Sequence, residues 1–135
     1  MTRVNPLLMV VDDDEDIREV LRLFLEIEGY RVSTAIDGLD ALEQLKTRER
    51  PSLILLDLMM PRMDGERFMK TLRAGPFADI PVVIMSGYRE ASEKAKELDG
   101  NCCLMKPVEF DELMAVVHRL AKHDPATTGR MNRRR

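Results

Sequence analysis

The sequence predicts an α/β fold, a doubly wound five-stranded parallel sheet of order 2-1-3-4-5. Three observations carry that expectation. Short unbroken apolar runs at residues 7–11, 53–56 and 82–85 read as strands buried on both faces. Stretches with helical spacing of apolar residues alternate with the strands, giving five strand-helix units. The third observation is where the polar groups fall: Asp12, Asp13, Asp57, Ser86 and Lys106 all follow the ends of strands, where open α/β sheets gather their chemistry.

The first strand, Leu7 to Val11, runs straight into five acids, Asp12 to Asp16. Asp14 to Asp16 suit the cap and first turn of the helix that follows, at residues 14–28. Its expected core face is Ile17, Val20, Leu21, Phe24 and Ile27, with Arg18, Arg22 and Glu26 turned to solvent and Gly29 at its end. Leu23 and Leu25 flank the stripe, either as deeper core or as an apolar edge for a partner helix. A second strand spans Tyr30 to Ile36, Asp37-Gly38 turns the chain, and Leu39, Leu42 and Leu45 mark a second helix that ends before Pro51.

The third strand ends on Asp57. A loop over residues 58–65 follows, with Asp64 as cap of a helix carrying Phe68 and Leu72. Residues 81–85 form a fourth strand that stops at Ser86-Gly87, small residues that let backbone approach a ligand. Ala91, Ala95 and Leu98 give a short helix, Cys102 to Met105 a fifth strand ending at Lys106-Pro107, and Phe110, Leu113, Met114, Val117 and Leu120 a final helix.

A chain of 135 residues makes one domain, here 1–122, with 123–135 expected as a disordered basic tail. Charged residues are 33% and hydrophobic residues 44%, and no apolar run is long enough to span a membrane, so a cytoplasmic protein without membrane contact is expected. Cys102 and Cys103 are adjacent, point to opposite faces of a strand and are expected as free, packed thiols. The net charge of -3 hides an asymmetry, since residues 123–135 hold four arginines and one aspartate, leaving 17 basic and 23 acidic residues in the body. An acidic body argues against direct nucleic-acid binding.

In the 2-1-3-4-5 order the switch point lies between the first and third strands, so Asp12, Asp13 and Asp57 should meet in one crevice. Three carboxylates with a hydroxyl and an ammonium suit the binding of a hard cation and a phosphoryl group together. Mg²⁺ would neutralise the acids, and a carboxylate can attack phosphorus in line. At this point Val10-Val11-Asp12-Asp13, the stretch from Leu55-Leu56-Asp57 through Met59-Met60-Pro61-Arg62-Met63-Asp64-Gly65, Ile84-Met85-Ser86-Gly87 and Lys106-Pro107 resemble the receiver domains of two-component response regulators. The resemblance covers about residues 6–122 and implies a flavodoxin-like receiver fold, stand-alone and similar to chemotaxis regulators. It also implies that Asp57 is the phosphoacceptor, that Asp13 binds Mg²⁺ directly and that Asp12 binds it mainly through water. The Met59 carbonyl would complete the metal site. Ser86 and Lys106 would bind phosphoryl oxygens with the amides of Met59 and Gly87, and Lys106-Pro107 would be a cis peptide. The implied donor is a sensor histidine kinase or phosphotransfer protein, and the implied read-out is an unknown downstream protein engaged through the fourth helix, fifth strand and fifth helix.

Two features depart from the family pattern. Cys103 stands where an aromatic usually couples to the hydroxyl, and the stretch from Ser86 to Lys106 is a residue or two short, so the read-out is expected to be altered. The resemblance also implies that Met59 and Tyr88 flank the approach of a hydrolytic water; Met59 offers that water no useful hydrogen bond and the Tyr88 ring is large enough to shield the phosphoryl group, so a long-lived phosphoprotein is expected. A receiver-like interaction module with vestigial phosphorylation is one alternative. A haloacid-dehalogenase-like phosphatase is another, but it would leave Asp57 unexplained. An EF-hand fails because Ile17 and Leu23 stand where glycine and glutamate are needed. No enzyme activity is expected beyond the protein's own phosphorylation and dephosphorylation, and the chain is expected as a single receiver or a shuttle in a phosphorelay.

Overall fold

The computed structural model describes residues 5–58, 64–87 and 100–121. In chain order these form β1 (Leu7–Val11), α1 (Glu15–Ile27), β2 (Arg31–Ala35), α2 (Gly38–Thr47), β3 (Leu53–Asp57), α3 (Gly65–Arg73), β4 (Val82–Ser86), β5 (Cys102–Met105) and α4 (Phe110–Leu120). The five strands make one sheet of order β2-β1-β3-β4-β5, all neighbours parallel, which is the expected doubly wound arrangement. The expected helix over Ala91, Ala95 and Leu98 and the tail 123–135 lie outside the described residues.

Alternation of side chains along each strand divides the core in two. One cluster sets Met9, Val11, Ile54, Leu56, Val82 and Ile84 against α2 and α3, and the other sets Leu8, Val10, Leu53, Leu55, Val83 and Met85 against α1 and α4. β3 and β4 are buried on both faces, as their unbroken apolar runs require. Cys103 packs toward the first cluster and Cys102 toward the second, both as free thiols. Burial, and secondarily Cys102, pushes the Cys103 thiol upward. No helix among the described residues is long and apolar enough to cross a membrane.

The helix ends follow from their caps. Asp14 caps α1 by accepting from the amides of Asp16 and Ile17, and Gly29 at φ +100° turns the chain out of it. Asp64 caps α3 as expected. Asp37 is not part of a simple turn: it is buried and caps α2, accepting from the Asp40 amide at 2.9 Å, so Gly38 opens that helix.

The face of α1 differs from the expected one. Leu21 and Leu25 are buried and Ile17 half-buried, whereas Val20, Leu23, Phe24 and Ile27 are exposed, Ile27 by 78%. The inward stripe therefore runs 17-21-25, one row over from the expected centre, because the helix leans on β2 and β1 through its i, i+4 ridge. Phe24 lies outside that ridge and instead meets Phe110 of α4 edge-on, with ring centroids 5.2 Å apart. Leu39 of α2 and Phe110 of α4 are likewise exposed and Met114 is buried as its spacing predicts, while Ala41, Gln44 and Val116 take buried positions that the spacing does not single out.

Candidate functional site

The C-terminal ends of β1, β3, β4 and β5 converge on one edge of the sheet. Val11 is in register with Leu56, and Asp57 with Met85, so Asp12 and Asp57 end adjacent strands. Ser86 is in register with Met105, and the Lys106 amide donates to the Ser86 carbonyl at 2.9 Å, which joins hydroxyl and ammonium at the ends of neighbouring strands. Asp12, Asp57 and Ser86 are buried, and Asp13 is exposed at the rim.

Oxygens of Asp12, Asp13 and Asp57 all lie within 4.8 Å of one another. Lys106 Nζ is 3.0 Å from Asp12 Oδ2 and 3.4 Å from Asp57 Oδ1. Burial is the largest influence on Lys106 and pulls its pKa down, but hydrogen bonding and attraction from Asp12, then Asp57, outweigh it and hold the ammonium above its ordinary value. One ammonium against three carboxylates leaves a net negative, all-oxygen pocket, the donor set a hard divalent cation takes. The residues therefore fit Mg²⁺.

Asp12 is held at every polar atom. Its amide donates to the Ala35 carbonyl at 3.2 Å, Oδ1 accepts from the Asp14 amide at 2.9 Å, Oδ2 accepts from Lys106, and its carbonyl accepts from Arg18 Nη1 at 2.7 Å. The strand end at Asp57-Leu58 is held against the start of α3. The Gly65 amide donates to the Leu58 carbonyl at 2.9 Å, and a Cβ on Gly65 would sit 2.7 Å from Leu58 Cα and 2.9 Å from the Asp57 carbonyl oxygen. Only glycine allows α3 to start that close to the strand end.

The structure thus brings together Asp12, Asp13, Asp57, Ser86 and Lys106. Gly87 follows Ser86 at the exposed edge, where a Cβ would meet nothing within 4 Å among the described residues. Met59, assigned both an amide and a carbonyl role, and Tyr88 lie outside the described residues. Lys106-Pro107 is cis, as the resemblance implied. Arg18 and Gly65 had been given no role at the site. Arg18, expected on the solvent face from its helical spacing, instead reaches Asp12 across six residues, a separation that no helical spacing signals; the Asp64-Gly65 pair is the available signal for Gly65.

The chain matches the response regulator receiver domain family over residues 8–118. Among curated proteins it is similar to the response regulator MprA of Mycobacterium leprae and of Mycobacterium ulcerans, each 38% identical over 117 residues. Those matches cover 85% of this chain and 50% of the relatives, so the chain spans about half the length of the curated relatives it matches. Among solved structures it resembles a putative response regulator from Chloroflexus aurantiacus, with a TM-score of 0.82 and 30% identity, covering 87% of this chain and 98% of the other. It also resembles the Vibrio cholerae chemotaxis protein CheY4, with a TM-score of 0.79 and 28% identity, covering 87% and 99%.

Proposed function

This chain belongs to the response regulator receiver domain family, and from that membership we propose that it is a phosphoacceptor in a two-component phosphorelay, switched by Mg²⁺-dependent phosphorylation of Asp57. The observation that carries the reading is the meeting of three carboxylates within 4.8 Å, with Lys106 Nζ 3.4 Å from Asp57. Asp12, Asp13 and Asp57, with the Met59 carbonyl, are the groups that would hold Mg²⁺, which when bound supplies Lewis acidity and charge neutralisation at the phosphoryl oxygens.

The chain's own residues do the rest. An Asp57 carboxylate oxygen attacks phosphorus in line and forms a new O–P bond as the bond from phosphorus to the donor breaks, its electron pair leaving with the donor. For a phosphohistidine donor the bond that breaks is P–N, and the leaving imidazole takes up a proton. Lys106, held charged by its acidic neighbours, moves its attraction from the carboxylates to the incoming oxygens. The Ser86 hydroxyl and the amides of Met59 and Gly87 bind the remaining phosphoryl oxygens. The donor is a sensor histidine kinase or phosphotransfer protein in the cytoplasm, and the acceptor of the signal is a downstream protein rather than nucleic acid or membrane. Residues 1–122 form the receiver, 123–135 a basic tail outside it, and Cys103 gives the switch a smaller side chain than the family's usual aromatic.

The test is intact mass after incubation with a small phosphodonor, with Mg²⁺ or with EDTA, for the wild type and Asp57→Asn. A single phosphoryl adduct is expected on the wild type with Mg²⁺ and none in the other arms. An adduct on another residue, or one formed equally well in EDTA, would overturn the reading.

A further inference from the structure

Arg18 stands in the first turns of α1, followed and preceded by solvent-facing acids, yet it is half-buried and forms no ion pair among the described residues. Its Nη1 is spent on a backbone carbonyl, that of Asp12, at 2.7 Å. We propose that Arg18 is a positioning residue for the acidic site, acting by fixing the peptide unit that joins Asp12 to Asp13. The inference rests on the Mg²⁺-site reading above.

Asp12 is held by three other contacts, to Ala35, Asp14 and Lys106, so its own carboxylate does not depend on Arg18. Asp13 is in the opposite situation. It is exposed, and among the described residues nothing hydrogen-bonds its carboxylate, so of these residues it is the backbone at the Asp12-Asp13 peptide that sets its aim. A peptide unit is planar and trans, with C=O and N–H antiparallel. Drawing the Asp12 carbonyl onto Arg18 therefore fixes the direction of the Asp13 amide and the path by which the Asp13 side chain leaves the loop. A rigid Asp13 reduces the ordering cost of gathering three carboxylates around a cation.

The guanidinium also carries a positive charge close to the acids, and that charge by itself repels a cation. The two effects have opposite signs, which makes the inference testable. Mg²⁺ binding to the full chain is measured by titration calorimetry for the wild type, Arg18→Ala, Arg18→Lys and Arg22→Ala. Arg22, which pairs with Glu19 and Glu26 on the same helix, is the control for loss of a surface arginine. Arg18→Ala should weaken Mg²⁺ roughly tenfold, the lower end of what loss of an outer-shell partner costs. Arg18→Lys, which keeps a donor, should recover most of the affinity, and Arg22→Ala should match the wild type. In the metal-free protein, Arg18→Ala should move the Asp13 amide resonance while leaving those of β3 and β4 in place, a readout independent of metal and of phosphorylation. Equal or tighter Mg²⁺ binding by Arg18→Ala, or an unmoved Asp13 amide, would overturn the inference. A wild type that binds no Mg²⁺ would overturn the metal-site reading itself and the inference with it.

Discussion

Asp57 ends a strand and yet the backbone at Asp57-Leu58 is pinned by a residue that carries no side chain. Gly65 lets α3 begin 2.7 Å from Leu58 Cα as measured from the position of its missing Cβ, closer than any real side-chain carbon could sit. Gly65→Ala must therefore push the Asp57-Leu58 backbone away, an overpacking that costs about 1–3 kcal/mol. Both a lower unfolding midpoint in urea and slower phosphorylation of Asp57 are expected, and an unchanged phosphorylation rate would show that the backbone shift leaves the carboxylate in place. The acids, Ser86 and Lys106 were legible in the sequence because each ends an apolar run, and strand ends in such a sheet share an edge. Gly65 and Arg18 were not, since their contacts are to backbone of another element and leave no periodic trace.

Elements were more legible than their faces. The strand order, the helix boundaries and the caps at Asp14 and Asp64 follow from apolar runs and capping residues, but α1 carries so many apolar residues that spacing alone admits two adjacent stripes. Packing over β2 and β1 selects the stripe through Leu21 and Leu25. Leu25 is fully buried and Leu23 is 46% exposed. Leu25→Ala should cost about 2–5 kcal/mol, as buried leucines do, whereas Leu23→Ala should stay within about 0.5–1 kcal/mol. Equal losses by denaturant unfolding would return Leu23 to the core. The far end of the same face is tied by Tyr30, whose hydroxyl lies 2.5 Å from His118 Nδ1 in the last turn of α4. Burial, with the Glu28 charge adding to it, pushes the Tyr30 phenol from 10.0 up to about 12. Below pH 10 the phenol is protonated in folded and unfolded chains alike. Between pH 10 and about 12 the unfolded chain loses its proton first, so stability falls as pH rises through that window. The melting temperature should drop across it in the wild type, and Tyr30→Phe should flatten the drop; a Tyr30→Phe profile as steep as the wild type's would assign the loss to other groups.

Across the whole molecule, the sheet sets its charge where its strands end, and the cost of doing so is visible in the pairing. Among the described residues three carboxylates share an edge with one ammonium, two of them buried, so mutual repulsion loads the metal-free fold at the proposed site. Binding linkage turns that repulsion into a measurable dependence. A cation that binds the folded chain alone adds about 2.7 kcal/mol when present at one hundred times its dissociation constant, which for a domain of this size raises the melting temperature by several degrees. Mg²⁺ should therefore stabilise the wild type, and Asp13→Ala, which removes an exposed acid, should lose most of that gain without lowering the metal-free melting temperature. Asp57→Asn should separate the two contributions. With the side chain's shape retained and one of the three charges gone, the metal-free protein should melt higher than the wild type, while its shift with Mg²⁺ should shrink. Asp57 also faces Lys106 at 3.4 Å, so the substitution removes an attraction along with the repulsion. Lys106 keeps its shorter contact to Asp12 at 3.0 Å, and the attraction lost is the weaker of its two. A metal-free Asp57→Asn that melts lower than the wild type would show that Lys106 already balances the acids, and that the edge of the sheet is not strained by its own charge.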